Sequence, residues 1–250
     1  MKLKAALKYQ IHGMIKPLII FYIIIYAIII FAGIQRVVMS HNGIRVTSSG
    51  VEISTAIFIF VFGLNSFKST FHLFLANGVS RKTMFKSYIL AVVPLAVFMA
   101  LIDTINNLAL SSVGSFQSIF YQMYHMHYGP ILNFSAQMRV ALDGFVWMTF
   151  LYTALSLIGF FITTIYYRMG KSLKLIVSIG VPVFFLMLLP YMDTYLFDGK
   201  IFDALRYFFA KAWGFLDGYN PYISVLTCFI TAAVFGALSF LAMRRATVKK

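Results

Sequence analysis

Charge is scarce in this chain. Only 11% of its 250 residues are Asp, Glu, Lys or Arg, against roughly a quarter in a soluble domain. Too few polar residues remain to cover a soluble core, and a 61% hydrophobic content excludes a disordered one. Acid is scarcer still, with 7 Asp and Glu against 21 Lys and Arg. Cysteine is nearly absent: a lone Cys228, within an apolar run, allows no intrachain disulfide and no cysteine zinc site. A nucleotide-binding loop is missing too. Gly170-Lys171-Ser172 ends like one, but Ile165 stands where the first glycine belongs and no strand precedes it. His125 and His127, at i and i+2, are too little for a metal site. No catalytic constellation stands out. The expectation is a non-enzymatic chain that binds no metal, no cofactor and no nucleic acid.

What is abundant is apolar sequence, at a mean hydropathy of +0.86. About 20 mostly apolar residues span a bilayer as a helix. Six runs approach or meet that length: Leu18–Ile34, Ile53–Leu75, Tyr88–Leu110, Gly144–Tyr167, Leu175–Met192 and Tyr222–Met243. The expected fold class is therefore all-α, a single transmembrane domain over residues 1–250. Pro17 and Pro221 sit at the starts of runs, where a missing N–H costs little. Pro94 and Pro182 lie inside runs and predict kinks.

With the N-terminus inside, the inner segments collect Lys2, Lys4, Lys8, Lys16, Arg81, Lys82, Lys86, Arg168, Lys171, Lys174, Arg244, Arg245, Lys249 and Lys250. The outer segments collect six cations, Arg36, Arg45, Arg139, Lys200, Arg206 and Lys211, and no acidic residue falls inside. Cytoplasmic retention of Lys and Arg then predicts a multi-pass protein of the cell membrane with both termini cytoplasmic. The run after Lys16 is long and lacks a small-residue cleavage pattern, so a cleaved signal peptide is not expected.

Residues 2–16 read as an amphipathic helix lying in the membrane interface and contacting lipids. Lys4, Lys8, His12 and Lys16 form one stripe, and Leu3, Leu7, Ile11, Met14 and Ile15 form the other. Between the second and third runs, Asn77-Gly78 reads as a helix stop. Ser80 reads as the N-cap of the next helix. Arg81, Lys82 and Lys86 then project from first turns, where cations oppose the macrodipole. Positive-inside retention is one reason for them; docking to an acidic cytosolic partner is the other. On the outer side, Phe202, Leu205, Phe209, Ala212, Trp213 and Leu216 share a helical face and Gly218 ends the helix, which rests on the outer interface or caps the last two runs. Ala232 and Gly236 form a small-residue pair suited to close packing.

Asp103 is the ionisable residue well inside a run, with Asn106 and Asn107 one turn away. An acid in a span defaults to function, here a place on a translocation path, unless the span ends early and leaves it at the outer interface. Both readings stand at this point.

Six runs, an amphipathic N-terminal helix and the Asn77-Gly-Val-Ser-Arg-Lys-Thr83 loop resemble the permease subunits of type 2 ATP-binding-cassette exporters, closest to the short Gram-positive peptide and antibiotic exporters. The topology covers the whole chain and the loop about ten residues; the long outer region 111–143 departs from the pattern. The resemblance implies that Asn77, Gly78, Ser80, Arg81, Lys82 and Lys86 couple to a cytosolic ATPase subunit. It also implies that ATP and Mg bind that partner, and that a second copy or a sister permease completes the path. Amphipathic peptides are the expected cargo. A membrane sensor or immunity protein and an ion-coupled transporter are the alternatives.

The charge distribution makes one direct prediction. With Cys228 replaced, a cysteine at position 82 should resist labelling by an impermeant thiol reagent in intact cells, and one at position 200 should label. The reverse pattern overturns the topology.

Overall fold

The structure is a computed structural model, and it describes residues 2–41, 49–113, 116–244 and 246. The chain is an all-α membrane protein. Its helices are α1 (Lys2–His41), α2 (Val51–Asn65), α3 (Lys68–Ala76), α4 (Arg81–Val113), α5 (Ile119–Tyr128) and α6 (Phe134–Arg168). They continue with α7 (Lys171–Val183), a π-helical turn (Phe184–Leu188), α8 (Leu189–Leu196), α9 (Lys200–Ala212) and α10 (Pro221–Arg244). Among the described residues, α1, α2 with α3, α4, α6, α7 with α8, and α10 are long and apolar enough to cross a membrane.

Helix α6 is the hub. It packs on α2, α4 and α10, while α1 packs on α4. In lipid, helices gain little from hiding apolar surface and adhere through close contact and hydrogen bonds. The closest contact is between α2 and α6. A Cβ on Gly63 would run into the Ser156 carbonyl, and one on Gly159 would strike the Phe60 carbonyl and lie 2.9 Å from the Leu64 nitrogen. Beside this crossing, Tyr88 of α4 reaches the Ser156 hydroxyl at 2.8 Å and stacks on Phe160 at 4.1 Å between ring centres. Ala232 and Gly236 are buried in α10, and Gly236 faces Leu157 of α6, so this pair packs within the chain.

Four elements differ from the sequence expectation. The 2–16 segment is helical but not separate: α1 passes through Pro17 without interruption, which places that proline in a helix interior. The face it buries is Ala6, Gln10 and Met14, while Leu3, Ile11 and Ile15 stay exposed. The reason is polar: the Gln10 amide donates to the Ser87 hydroxyl at 2.9 Å and docks α1 on α4.

The run Ile53–Leu75 is two helices. It breaks after Asn65, and there the Thr163 hydroxyl donates to the freed Leu64 carbonyl. The helix beginning near Phe202 ends at Ala212 rather than Gly218, because Gly214 takes a left-handed conformation (φ +74°) that reverses the chain. The fifth run holds a π-helical turn between Pro182 and Pro190, two residues that withhold an N–H from the ladder. Helix α4, by contrast, continues through Pro94.

The fifth span is also the one that its own chain leaves alone. No residue of α7 or of the π-helical turn is buried, and a tie to α6 is the Tyr166 hydroxyl against that of Ser178 at 2.7 Å. Helix α9 exposes Phe202, Leu205, Phe208 and Phe209.

The glycines separate two kinds of packing. Gly63→Ala and Gly159→Ala force a methyl into backbone and should each lower stability by about 1–3 kcal/mol. Gly236→Ala meets Leu157 only at 3.8 Å and should be neutral or slightly stabilising. Thermal unfolding of the detergent-solubilised protein distinguishes them; equal effects at all three positions contradict the crossing.

Candidate functional site

Two regions concentrate polar chemistry, one at each end of the bundle. The first is the corner between α3 and α4. Gly78 is left-handed (φ +64°), Gly78 N–H donates to the Leu75 carbonyl at 3.0 Å and Val79 N–H to that of Phe74 at 2.8 Å. This pair of bonds is a Schellman stop. The Asn77 amide also closes on the Leu73 carbonyl at 2.8 Å. Ser80 then caps α4, its hydroxyl accepting from Thr83 N–H at 3.2 Å. The stop at Gly78 and the cap at Ser80 are therefore as the sequence indicates.

The cations of this corner divide into two groups. Lys2 donates to the Gly78 carbonyl at 2.8 Å, and Arg81 donates to the Arg244 carbonyl at the end of α10. Both neutralise carbonyls at helix C-termini, where positive charge is favoured. Lys82 and Lys86 point away, exposed, as do Lys4, Lys8 and Lys16 of α1. Arg245, Lys249 and Lys250 lie outside the described residues.

The opposite end holds the buried acids. Asp103 has no exposed surface and Glu52 only 4%. Asp103 accepts from the Tyr152 hydroxyl at 2.6 Å, and that hydroxyl also lies 3.4 Å from the Glu52 carbonyl. The Glu52 carboxylate takes the Asn107 amide at 2.8 Å and, through both oxygens, Ile119 N–H at 3.2 Å. Ile119 is the first residue of α5, so the carboxylate sits on a helix N-terminus. Asn106 is buried against α1, where Tyr26 reaches its carbonyl at 3.3 Å. The three polar residues singled out in the third run thus gather in one cluster. Asp103 is enclosed between α2, α4 and α6.

Glu52 was not legible as a member of this cluster, because it falls just before the apolar run that starts at Ile53. A helical period extended backwards would have found it: Glu52, Thr55, Ile59 and Gly63 are the buried face of α2.

Above the cluster lies a half-open chamber of about 420 Å³ bounded by Asn107, Ser111, Ser118, Tyr121, Gln137 and Met148. Its lining is neutral. Nearby, Asp143 accepts from Tyr128 at 2.7 Å and Tyr222 at 2.8 Å, tying α5 and α10 to α6. Burial, and then the Asp143 carboxylate, raise the Tyr128 phenol above its usual range and keep it a donor. Asp193, 2% exposed, caps α9 through Ile201 N–H at 2.7 Å and Phe202 N–H at 3.2 Å.

Among the described residues, His125 and His127 do not join a group of three or more His, Cys, Asp or Glu side chains. No family model, no curated protein and no solved structure matches the chain.

The Glu52 contacts carry a prediction. Glu52→Gln removes the charge that holds the start of α5 and should cost about 1.5–3 kcal/mol. Amide hydrogen exchange should speed up at residues 119–122 and stay unchanged at the α3–α4 corner. Unchanged exchange at residues 119–122 contradicts the anchoring role.

Proposed function

We propose that the chain is the membrane-spanning subunit of an ATP-driven exporter, working as a permease dimer with separate cytosolic ATPase subunits in the cell membrane. The observation that carries this reading is the α3–α4 corner. It is fixed on both sides, by the Schellman stop at Gly78 and the cap at Ser80. It presents Lys82 and Lys86, both exposed, in the first two turns of α4, where cations oppose the macrodipole. A rigid basic knob of this kind suits an acidic partner. ATP and Mg belong to that partner, and this chain supplies the path. The neutral chamber at the other end favours amphipathic cargo such as peptides, and of the three path residues Asn107 lines it. The same chamber is what favours a second reading, a membrane sensor or immunity protein that binds a ligand there without transport.

The geometry selects the variants. Arg81 is engaged with Arg244, so changing it disturbs the fold as well as any docking. Lys82→Glu with Lys86→Glu leaves that tie intact. This pair should reduce capture of ATPase activity with the tagged protein by at least about tenfold, since removing one member of a buried charged contact costs about 2–5 kcal/mol. Lys249→Glu with Lys250→Glu should have little effect. Normal insertion with wild-type ATPase capture in the corner variant refutes the coupling role and favours the sensor.

A further inference from the structure

The buried acids pose a charge problem that the protein does not solve alone. Glu52 and Asp103 lie close enough to interact electrostatically, and among the described residues no cation pairs with either. Glu52 is compensated by donors: Asn107, Ile119 N–H and the N-terminus of α5. Asp103 is served less fully: Tyr152 donates to its Oδ2, and the Thr55 hydroxyl lies in reach.

The other oxygen, Asp103 Oδ1, is buried with no hydrogen-bond partner among the described residues, and so are the Tyr22 hydroxyl, Asn107 Oδ1 and Asn106 Nδ2. Tyr22 and Asn106 are each 9% exposed, so neither is served by bulk solvent. Their orientation is constrained. Asn107 must keep its NH2 on the Glu52 carboxylate, which fixes its oxygen as the unpaired atom. Asn107 stands one helical turn from Asp103 on the same face of α4. Tyr22 of α1 lies within electrostatic reach of Asp103, and the Thr55 hydroxyl of α2 is within hydrogen-bonding reach of it.

Three of the four unpaired atoms are oxygens. A proton on Asp103 Oδ1 donates to one of the other two, satisfies that pair and leaves the third oxygen unpaired. A small cation draws on all three and neutralises the carboxylate, and a water in its shell accepts from Asn106 Nδ2. Oxygen ligands, one carboxylate and no sulfur or imidazole suit a hard ion rather than a transition metal.

A route is also visible. Asn107 belongs both to this cluster and to the lining of the 420 Å³ chamber. The chamber is half-open and carries no charge that would repel an ion. We propose that Asp103, Asn107 and Tyr22 form an intramembrane binding site for a small monovalent cation of the sodium class, reached through this chamber. The site lies wholly in this chain and does not depend on the exporter reading.

The test uses the full-length protein alone in lipid nanodiscs, with no ATPase present. Its melting temperature is followed in NaCl, LiCl, KCl and choline chloride at equal ionic strength, each across a series of pH values. A ligand that binds only the folded state at a hundredfold excess over its Kd should raise the melting temperature by about 5–10 °C. Sodium should give such a shift and choline none. Asp103→Asn should abolish it, and Tyr22→Phe should move the sodium midpoint to higher concentration. If Asp103→Asn does not fold, the Tyr22→Phe midpoint decides. Equal melting in sodium and choline overturns the site, as does a sodium response that both variants keep. A melting temperature that follows pH and ignores sodium overturns it in favour of a bound proton.

Discussion

The backbones of α2 and α6 touch because Gly63 and Gly159 place no side chain between them, and the position of the buried carboxylates follows from that contact. With α2 pressed on α6, the Tyr152 hydroxyl comes within reach of both the Glu52 carbonyl and the Asp103 carboxylate. One phenol therefore joins three helices. Glu52, held in that place, collects Ile119 N–H and fixes where α5 begins. A bulkier α2–α6 interface would draw Glu52 and Thr55 of α2 away from Tyr152 and Asp103 and open the cluster. Burying an ionised side chain in a span is expensive, so the glycines serve the polar cluster as much as the packing.

The two ends of the bundle use charge in opposite senses, and each matches the local helix dipole. At the N-terminal end, Lys2 and Arg81 meet carbonyls at the ends of α3 and α10. At the other end, Glu52 and Asp193 meet the N–H groups that begin α5 and α9. Positive charge belongs at helix C-termini and negative charge at N-termini. The bias that retains Lys and Arg on one side of a membrane and the needs of the helix ends thus agree through most of the chain. Cations at helix starts are the exception: Lys82 and Lys86 on α4, Lys171 on α7 and Lys200 on α9. Lys82 and Lys86 are exposed, and among the described residues no acid pairs with them. That misfit supports reading the corner as a surface for another molecule.

How much of this was legible depended on distance along the chain. Asn77-Gly78 and Ser80 were readable because stops and caps are local chemistry, decided within about four residues. The six spans were readable because hydropathy sums over about 20. Glu52 was missed because a boundary drawn by hydropathy cuts at the first charge. Its burial depends on Asn107 and Ile119, 55 and 67 residues away. The α2–α3 break was hidden for a similar reason: the group that receives the freed carbonyl is Thr163, 99 residues on. The part of α1 that docks on α4 was not legible either, because amphipathicity ranks Gln10 as polar, whereas Ser87 makes it a docking residue.

The fifth span shows what solvation by lipid permits. In water, a helix as apolar as α7 with α8 and as unpacked would be untenable. In hydrocarbon its side chains lose nothing by facing the bilayer. The backbone still has to be satisfied, and there the span is weak, since Pro182 and Pro190 bracket a π-helical turn. Its position rests on the Tyr166–Ser178 contact at one end and, at the other, on the Asp193 cap that fastens α8 to α9. In the exporter reading, a path enclosed by protein on all sides needs a wall that this chain does not close. The span left free by its own bundle is the surface against which a second permease can supply one. Helix α9, fastened to that span and carrying exposed Phe202, Phe208 and Phe209, would then move with the interface rather than with the α2–α4–α6 core.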